Sequence, residues 1–176
     1  QEVLPSQARR GGGSLTLFVV LTDVDKSWAR QLATAVYDSA TNKNLVDEAV
    51  NTDADPQDLD LLGYSGELAF AKIANHFPTT AVDGPTPVDC VVNGITVDVK
   101  TTEYITGHLV VRPKHKGKSA QSFVLMTGTM ENGFHYRGWM WAEDVFQDKY
   151  LGTLGRGPTY KVPQSDLNQG LPKGVT

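Results

Sequence analysis

The chain has 176 residues, 40% of them hydrophobic and 20% charged, with a formal net charge of −4 at pH 7. That size and balance suit one soluble globular domain with its own core and exclude a disordered or membrane-embedded chain. The acidic total excludes a protein that coats nucleic acid through bulk charge, and the single Cys90 excludes an internal disulfide framework or a cysteine-held iron–sulfur cluster and points to a reducing cytoplasm.

Residues 1–14 carry Arg9-Arg10 and a run of three glycines without an apolar stretch of signal-peptide length, and are expected to form a flexible N-terminus. Residues 15–56 are expected to form an accessory strand-helix layer and an acidic linker. Leu15 to Leu21 is too short to span a membrane and reads as a buried strand. Asp25-Lys-Ser27 opens a helix whose apolar positions Trp28, Leu32, Ala35 and Val36 recur at helical spacing, ending near residues 41–44. Trp28 is read as packing and Arg30 as surface. The acids between Val46 and Asp60 lack the spacing of an EF-hand loop and read as a solvated linker, with a helix start at Asp55-Pro56.

From about Asp58 to Phe77, Leu62, Gly66, Ala69, Phe70, Ile73 and Phe77 form one apolar stripe of a helix. Glu67 lies at its margin, rotated about 100° from Gly66, where it can lean toward a neighbouring site. Gly63 and Gly66 each cost about 1 kcal/mol in a helix interior, which predicts close approach of another backbone. A loop over 78–87, containing Asp83, then leads to the stretch Val88-Asp-Cys-Val-Val-Asn-Gly-Ile-Thr-Val-Asp-Val-Lys-Thr101. Asn93-Gly94 between two β-branched runs is the signal for a two-residue type I′ hairpin. It predicts the pairs Val91 with Thr96, Cys90 with Val97, Asp89 with Asp98, and Val88 with Val99. Cys90, Val92, Ile95, Val97 and Val99 then share an apolar face, and Asp89, Val91, Thr96, Asp98 and Lys100 the other.

Two carboxylates directly opposite one another, about 4.5 Å apart at their Cα atoms, repel unless a cation compensates. A hard divalent ion such as Mg²⁺ would convert that repulsion into a binding site. Lys100 would point into the same site, able to orient a water or stabilise charge on a phosphorus centre. The plainer alternative is an ordinary polar hairpin face on which Lys100 neutralises Asp98.

Further strands are predicted at Gly107 to Arg112, Gln121 to Thr127 and Phe134 to Trp141, the last two joined at Glu131-Asn-Gly133, followed by a short helix at Ala142 to Phe146. Arg112, Lys114, Lys116 and Lys118 form a basic connection that reads either as a contact for nucleic-acid backbone or as a solvated loop with no partner. Gln121 is an additional polar candidate, and Trp139 and Trp141 read as sheet packing. The four histidines have no zinc-like spacing. Residues 147–176 are expected to form an irregular C-terminal tail.

Asp89 and Asp98-Val99-Lys100, with Pro87-Val88-Asp89 as the first part, resemble the signature of the PD-(D/E)XK nuclease superfamily, of the small phage or bacterial type. Gly63-Tyr-Ser-Gly-Glu67-Leu-Ala-Phe-Ala-Lys72 resembles the helix that supplies its further acid. The resemblance covers about residues 57–146. It implies a single α/β domain with a restriction-endonuclease-like mixed β-sheet flanked by helices, trimmed between the third and fourth strands, where Pro113 to Ala120 is too short for the usual helix. It further implies Mg²⁺ or Mn²⁺ held by Asp89, Asp98, the Val99 carbonyl and Glu67, with Lys100 catalytic alongside Asp98, Asp89 and Glu67. The expected activity is hydrolysis of DNA phosphodiester bonds, endonuclease favoured over exonuclease, in the cytoplasm of a bacterium or a phage-infected host cell. No membrane partner is implied, and many members pair as homodimers. The alternatives are a catalytically silent binding or assembly module of the same fold, an RNA nuclease, or an unrelated binding domain with a coincidental DxK.

Overall fold

The computed structural model describes residues 17–42, 55–76, 88–155 and 157–173. The N-terminal segment to residue 16, the acids of 46–54 and the 78–87 loop with Asp83 and Pro87 lie outside the described residues. In chain order the elements are β1 (Phe18–Val19), α1 (Asp23–Asn42), α2 (Pro56–Ile73), β2 (Cys90–Val92), β3 (Ile95–Thr102), β4 (Leu109–Val111), β5 (Ser122–Thr129), β6 (Gly133–Trp141), α3 (Ala142–Val145), β7 (Leu151–Leu154) and β8 (Gly157–Val162).

The hairpin turns where the sequence predicts. Asn93 (φ 51°) and Gly94 (φ 80°) both adopt the left-handed conformation that a type I′ turn requires. Cys90 pairs with Val97, Val91 with Thr96 and Val92 with Ile95. The predicted alternation follows from this register: Cys90, Val92, Ile95, Val97 and Val99 are buried, whereas Thr96, Asp98 and Lys100 are half-buried.

The fold is α/β. A five-stranded mixed sheet runs β1-β6-β5-β3-β2, with β3 and β5 parallel and every other neighbouring pair antiparallel. Parallel neighbours need a crossover, and here it is built from β4 and a single 3-10 turn, Pro113–His115, rather than a long helix. β4 does not join the large sheet. It pairs with β8 in a second, three-stranded sheet of order β4-β8-β7.

Two apolar layers lie on the two faces of β3 and β5. On one, Leu68, Ala69 and Phe70 of α2 pack with Val97, Val99, Val124 and Met126. On the other, Phe123 and Leu125 pack with Leu109, Val111, Tyr160 and Val162 of the second sheet. β5 is therefore covered on both faces and reads as a nearly continuous apolar run. Full burial of side chains such as Phe70 and Phe123 stabilises the fold by about 1.5–3 kcal/mol each.

Helix ends are set locally. Asp55 caps α2 by accepting the Gln57 N–H at 2.9 Å, with Pro56 in the first turn. The helix stops at Ile73, earlier than the predicted Phe77, because Asn75 turns left-handed (φ 51°) and the His76 N–H closes back on the Ala71 carbonyl at 2.9 Å. Thr22 and Asp25 cap α1 reciprocally, and Lys72 reaches Asp25 at 2.8 Å, tying the two helices together.

Two expectations are corrected. The buried strand at 15–21 reduces, among the described residues, to two residues pairing with the edge of β6, with Phe18 and Val20 exposed. α1 packs on α2, so this stretch lies against the rest of the fold as a layer. The irregular tail at 147–176 contains instead a β-hairpin, β7–β8. Its alternation, with Tyr160 and Val162 inward and Lys161 outward, was obscured by Gly155, Gly157, Pro158 and Pro163. Beyond it the chain does wrap back: Asn168 bridges Trp139, and the Asn93 side chain donates to the Pro172 carbonyl at 2.9 Å.

Candidate active site

The hairpin ladder ends at Cys90, and the site begins there. Rather than standing opposite Asp98, Asp89 donates its backbone N–H to the Val97 carbonyl (2.9 Å) and turns its carboxylate to accept the Val99 N–H at 2.6 Å. The predicted pairs Asp89 with Asp98 and Val88 with Val99 are thus replaced by a side-chain contact. The physical cause lies in the alternation of an antiparallel ladder, which turns the N–H and C=O of Val99 toward the edge where β2 has run out. An N–H left there without a partner is costly, and the Asp89 carboxylate supplies one. The Val99 carbonyl faces the same open edge.

Asp98 projects to the opposite side from Val97 and Val99. Its Oδ1 lies 2.6 Å from Lys100 Nζ and its Oδ2 3.3 Å from His115 Nδ1. The buried ring of Phe123 forms the floor, with Lys100 Nζ 6.0 Å from its centroid and the His115 ring meeting it edge-on at 6.3 Å. His115 arrives on the 3-10 turn of the crossover. It is the site residue that the sequence reading missed, having searched the histidines for zinc spacing alone.

Glu67 reaches the site from the α2 side. Gly66 makes this approach feasible, because a Cβ there would overlap the Thr101 side chain on β3. The predicted approach of another backbone is found at neither glycine: Gly66 is approached closely, but by the Thr101 side chain, and an added Cβ at Gly63 would meet nothing within 4 Å. Burial, followed by the charges of Asp89 and Asp98, holds the Glu67 carboxyl well above its ordinary range, against the pull of Lys100. Burial and Asp98 push Asp89 up to about 6 despite the Val99 N–H and Lys100. Burial opposes ionisation of Asp98 too, but His115 and Lys100 prevail and its pKa is lowered. Tyr64, one helical turn before Glu67, is raised to about 12 by burial and by the charges of Glu67, Asp60 and Asp89. It is a second neighbour of the acids that the sequence reading did not single out.

No family model, curated protein or solved structure matches this chain. The chemistry of the site therefore rests on its own geometry.

The basic connection divides. Arg112 and Lys114 line a cleft of about 800 Å³ together with Lys100 and His115, whereas Lys116 and Lys118 are exposed outside it. Gln121 does not reach the acids. Its Oε1 accepts the Thr96 N–H at 3.0 Å, fastening the start of β5 to β3. Trp139 and Trp141 meet edge-on at 4.9 Å within the core, as sheet packing predicts. Cys90 is buried in the same layer, and burial pushes its thiol up to about 12, which makes it a small apolar core residue rather than a nucleophile.

Oxygen donors of this kind suit a hard divalent cation. Glu67 and Asp89 are held up in pKa by burial and by neighbouring carboxylates, a charge conflict that such an ion would relieve. Among the described residues no three His, Cys, Asp or Glu side chains already converge on one metal position. Both Asp98 oxygens already have protein partners, Lys100 Nζ and His115 Nδ1, so an ion at Asp98 would have to share with or replace the His115 contact.

Proposed function

We infer that the chain is a metal-dependent phosphodiesterase acting on DNA, built on a trimmed restriction-endonuclease-like core. The observation that carries this reading is the break in the hairpin at Asp89, which puts a second carboxylate and the Val99 backbone beside Asp98 and Lys100, within electrostatic reach of Glu67. Asp89, Asp98, Glu67 and the Val99 carbonyl would hold Mg²⁺ or Mn²⁺. When bound, such an ion supplies polarisation of a phosphate oxygen and an acidified water.

The protein's own groups supply the rest. Lys100, braced by Asp98, donates hydrogen bonds that orient a water for in-line attack and offset charge on the phosphate oxygens. His115, held against Phe123, keeps the second Asp98 oxygen in place. Arg112 and Lys114 face the cleft through which a polyanion would approach. No helix among the described residues is long and apolar enough to cross a membrane. A reducing cytoplasm suits the buried free thiol, and a pair of copies would be needed to cut both strands at once.

A second reading has an observation of its own. Lys100 and His115 already occupy the two Asp98 oxygens, as in a nuclease-like fold used only for binding. Cleavage of supercoiled plasmid, linear duplex, single-stranded DNA and RNA in Mg²⁺ or Mn²⁺, beside EDTA and the Asp98→Ala variant, separates the two. Metal-dependent cutting lost in Asp98→Ala supports the enzyme. Nucleic-acid binding without cutting under every condition supports the silent module.

A further inference from the structure

The cleft beside Lys100 runs between the first turns of α2, the connection from β3 to β4, and the second sheet. It is lined by the cations Lys100, Arg112, Lys114 and Lys161 against the carboxylates Asp60 and Glu103. Lys100 is paired with Asp98, which leaves Arg112, Lys114 and Lys161 against two carboxylates, a small local excess of positive charge on a chain of net charge −4 that suits an anionic ligand.

Two observations sharpen the ligand. Arg112 Nη2 is buried with no hydrogen-bond partner. A desolvated guanidinium N–H left unpaired is costly, so a rotation of the Arg112 side chain that turned it into the cleft toward a phosphate oxygen would be favoured by the charge-assisted bond it gained. Tyr104, which also lines the cleft, is 65% exposed. An exposed aromatic ring beside a cationic groove is the combination with which proteins hold single strands, by stacking bases and tracking phosphates. The volume of about 800 Å³ is that of a small-molecule site and accommodates a short unpaired segment.

We propose that this cleft binds one unpaired nucleic-acid strand, with Tyr104 stacking on a base and Arg112 and Lys161 holding the backbone, and so directs the Lys100 site toward single-stranded or frayed substrates. The binding step stands alone, whereas its use in cleavage rests on the phosphodiesterase reading above.

Fluorescence anisotropy in EDTA tests it, with three labelled probes: oligo(dT), an abasic deoxyribose-phosphate chain of the same length, and a duplex. The full chain is compared with Tyr104→Ala, Tyr104→Phe, Arg112→Gln and the control Lys118→Ala. Oligo(dT) should bind more tightly than either other probe. Tyr104→Ala should weaken oligo(dT) binding roughly tenfold without changing the abasic chain, and Tyr104→Phe should restore it. Arg112→Gln should weaken both single-stranded probes, and Lys118→Ala should have little effect. Should Arg112→Gln fail to fold, the exposed Tyr104 pair carries the test. Duplex bound as tightly as oligo(dT), or oligo(dT) binding indifferent to Tyr104→Ala, would overturn the proposal. Duplex cleavage indifferent to Tyr104 and Arg112 would preserve the nuclease and overturn the strand cleft. Tyr104-dependent binding with no cleavage would do the reverse.

Discussion

The Asp89 carboxylate accepts the backbone N–H of Val99 at 2.6 Å, in the place where the next β2 residue would have paired. One side chain thus completes a strand edge and stands beside Asp98 and Lys100. Replacing it separates the two roles. Asp89→Ala leaves the Val99 N–H without its acceptor and should destabilise the fold by about 1–3 kcal/mol. Asp89→Asn keeps an acceptor oxygen and removes a charge that conflicts with Asp98 and Glu67. It should melt at or above the wild-type temperature in EDTA, yet lose Mg²⁺-dependent stabilisation. Thermal melts of the three proteins with and without Mg²⁺ check this.

Lys100 and Asp98 form a pair at 2.6 Å, with side chains only 27% and 16% exposed. Lys100→Ala should lower cleavage by about 10²–10⁴-fold, the range for loss of a positioned proton-transfer or charge-stabilising group. It should leave metal binding in place. Asp98→Ala should abolish both. Cleavage time courses paired with Mn²⁺ titration by calorimetry give the two readouts.

The acids also predict how stability depends on pH. Burial and the Asp98 charge push Asp89 up to about 6 in the folded chain, above the ordinary aspartate value of about 3.9. Between those values the folded state holds more protons than the unfolded one, so stability falls as pH rises through this window and remains lower above it. Glu67 acts in the same direction. Asp98, lowered, acts oppositely: its contribution is full above its unfolded pKa and is lost as pH falls through the folded one. In EDTA the melting temperature should therefore decline from about pH 4 to pH 6, and Asp89→Asn should flatten that decline. Saturating Mg²⁺ should raise the melting temperature more at pH 8 than at pH 5.

Gly66 and Gly63 sit one helical turn apart in α2 and should respond in opposite ways. Gly66→Ala gains helix propensity but drives a Cβ into Thr101, so it should lose about 1–3 kcal/mol to overpacking and displace Glu67. Gly63→Ala meets open space and should gain up to about 1 kcal/mol. Denaturant melts measure both, and restoration of Gly66→Ala by Thr101→Ala would identify the collision as the cause.

Much of the hairpin was legible because its signals are local. Asn93-Gly94 sets the turn, the turn sets the register, and the period of two assigns Val97 and Val99 to one face and Asp98 and Lys100 to the other. Asp89 was read as a continuation of that pattern. Its departure depends on where β2 stops, and alternation contains no signal for a side chain that replaces a backbone partner. His115 was illegible for another reason: its contact with Asp98 is made through the crossover, whose path is a tertiary fact. The β7–β8 hairpin was hidden by its glycines and prolines, which mark turns but also resemble the composition of an unstructured tail.

The pairing of β4 with β8 has a temporal side. All of the strands in the large sheet have been synthesised once the chain reaches Trp141, and Glu67, Asp89, Asp98, Lys100 and His115 precede that point. The second sheet closes only after Val162, and Lys161 is nearly the last residue to enter it. A growing chain thus holds Lys100, Tyr104 and Arg112 while the strand that carries Lys161 to the far side of the cleft is still unmade.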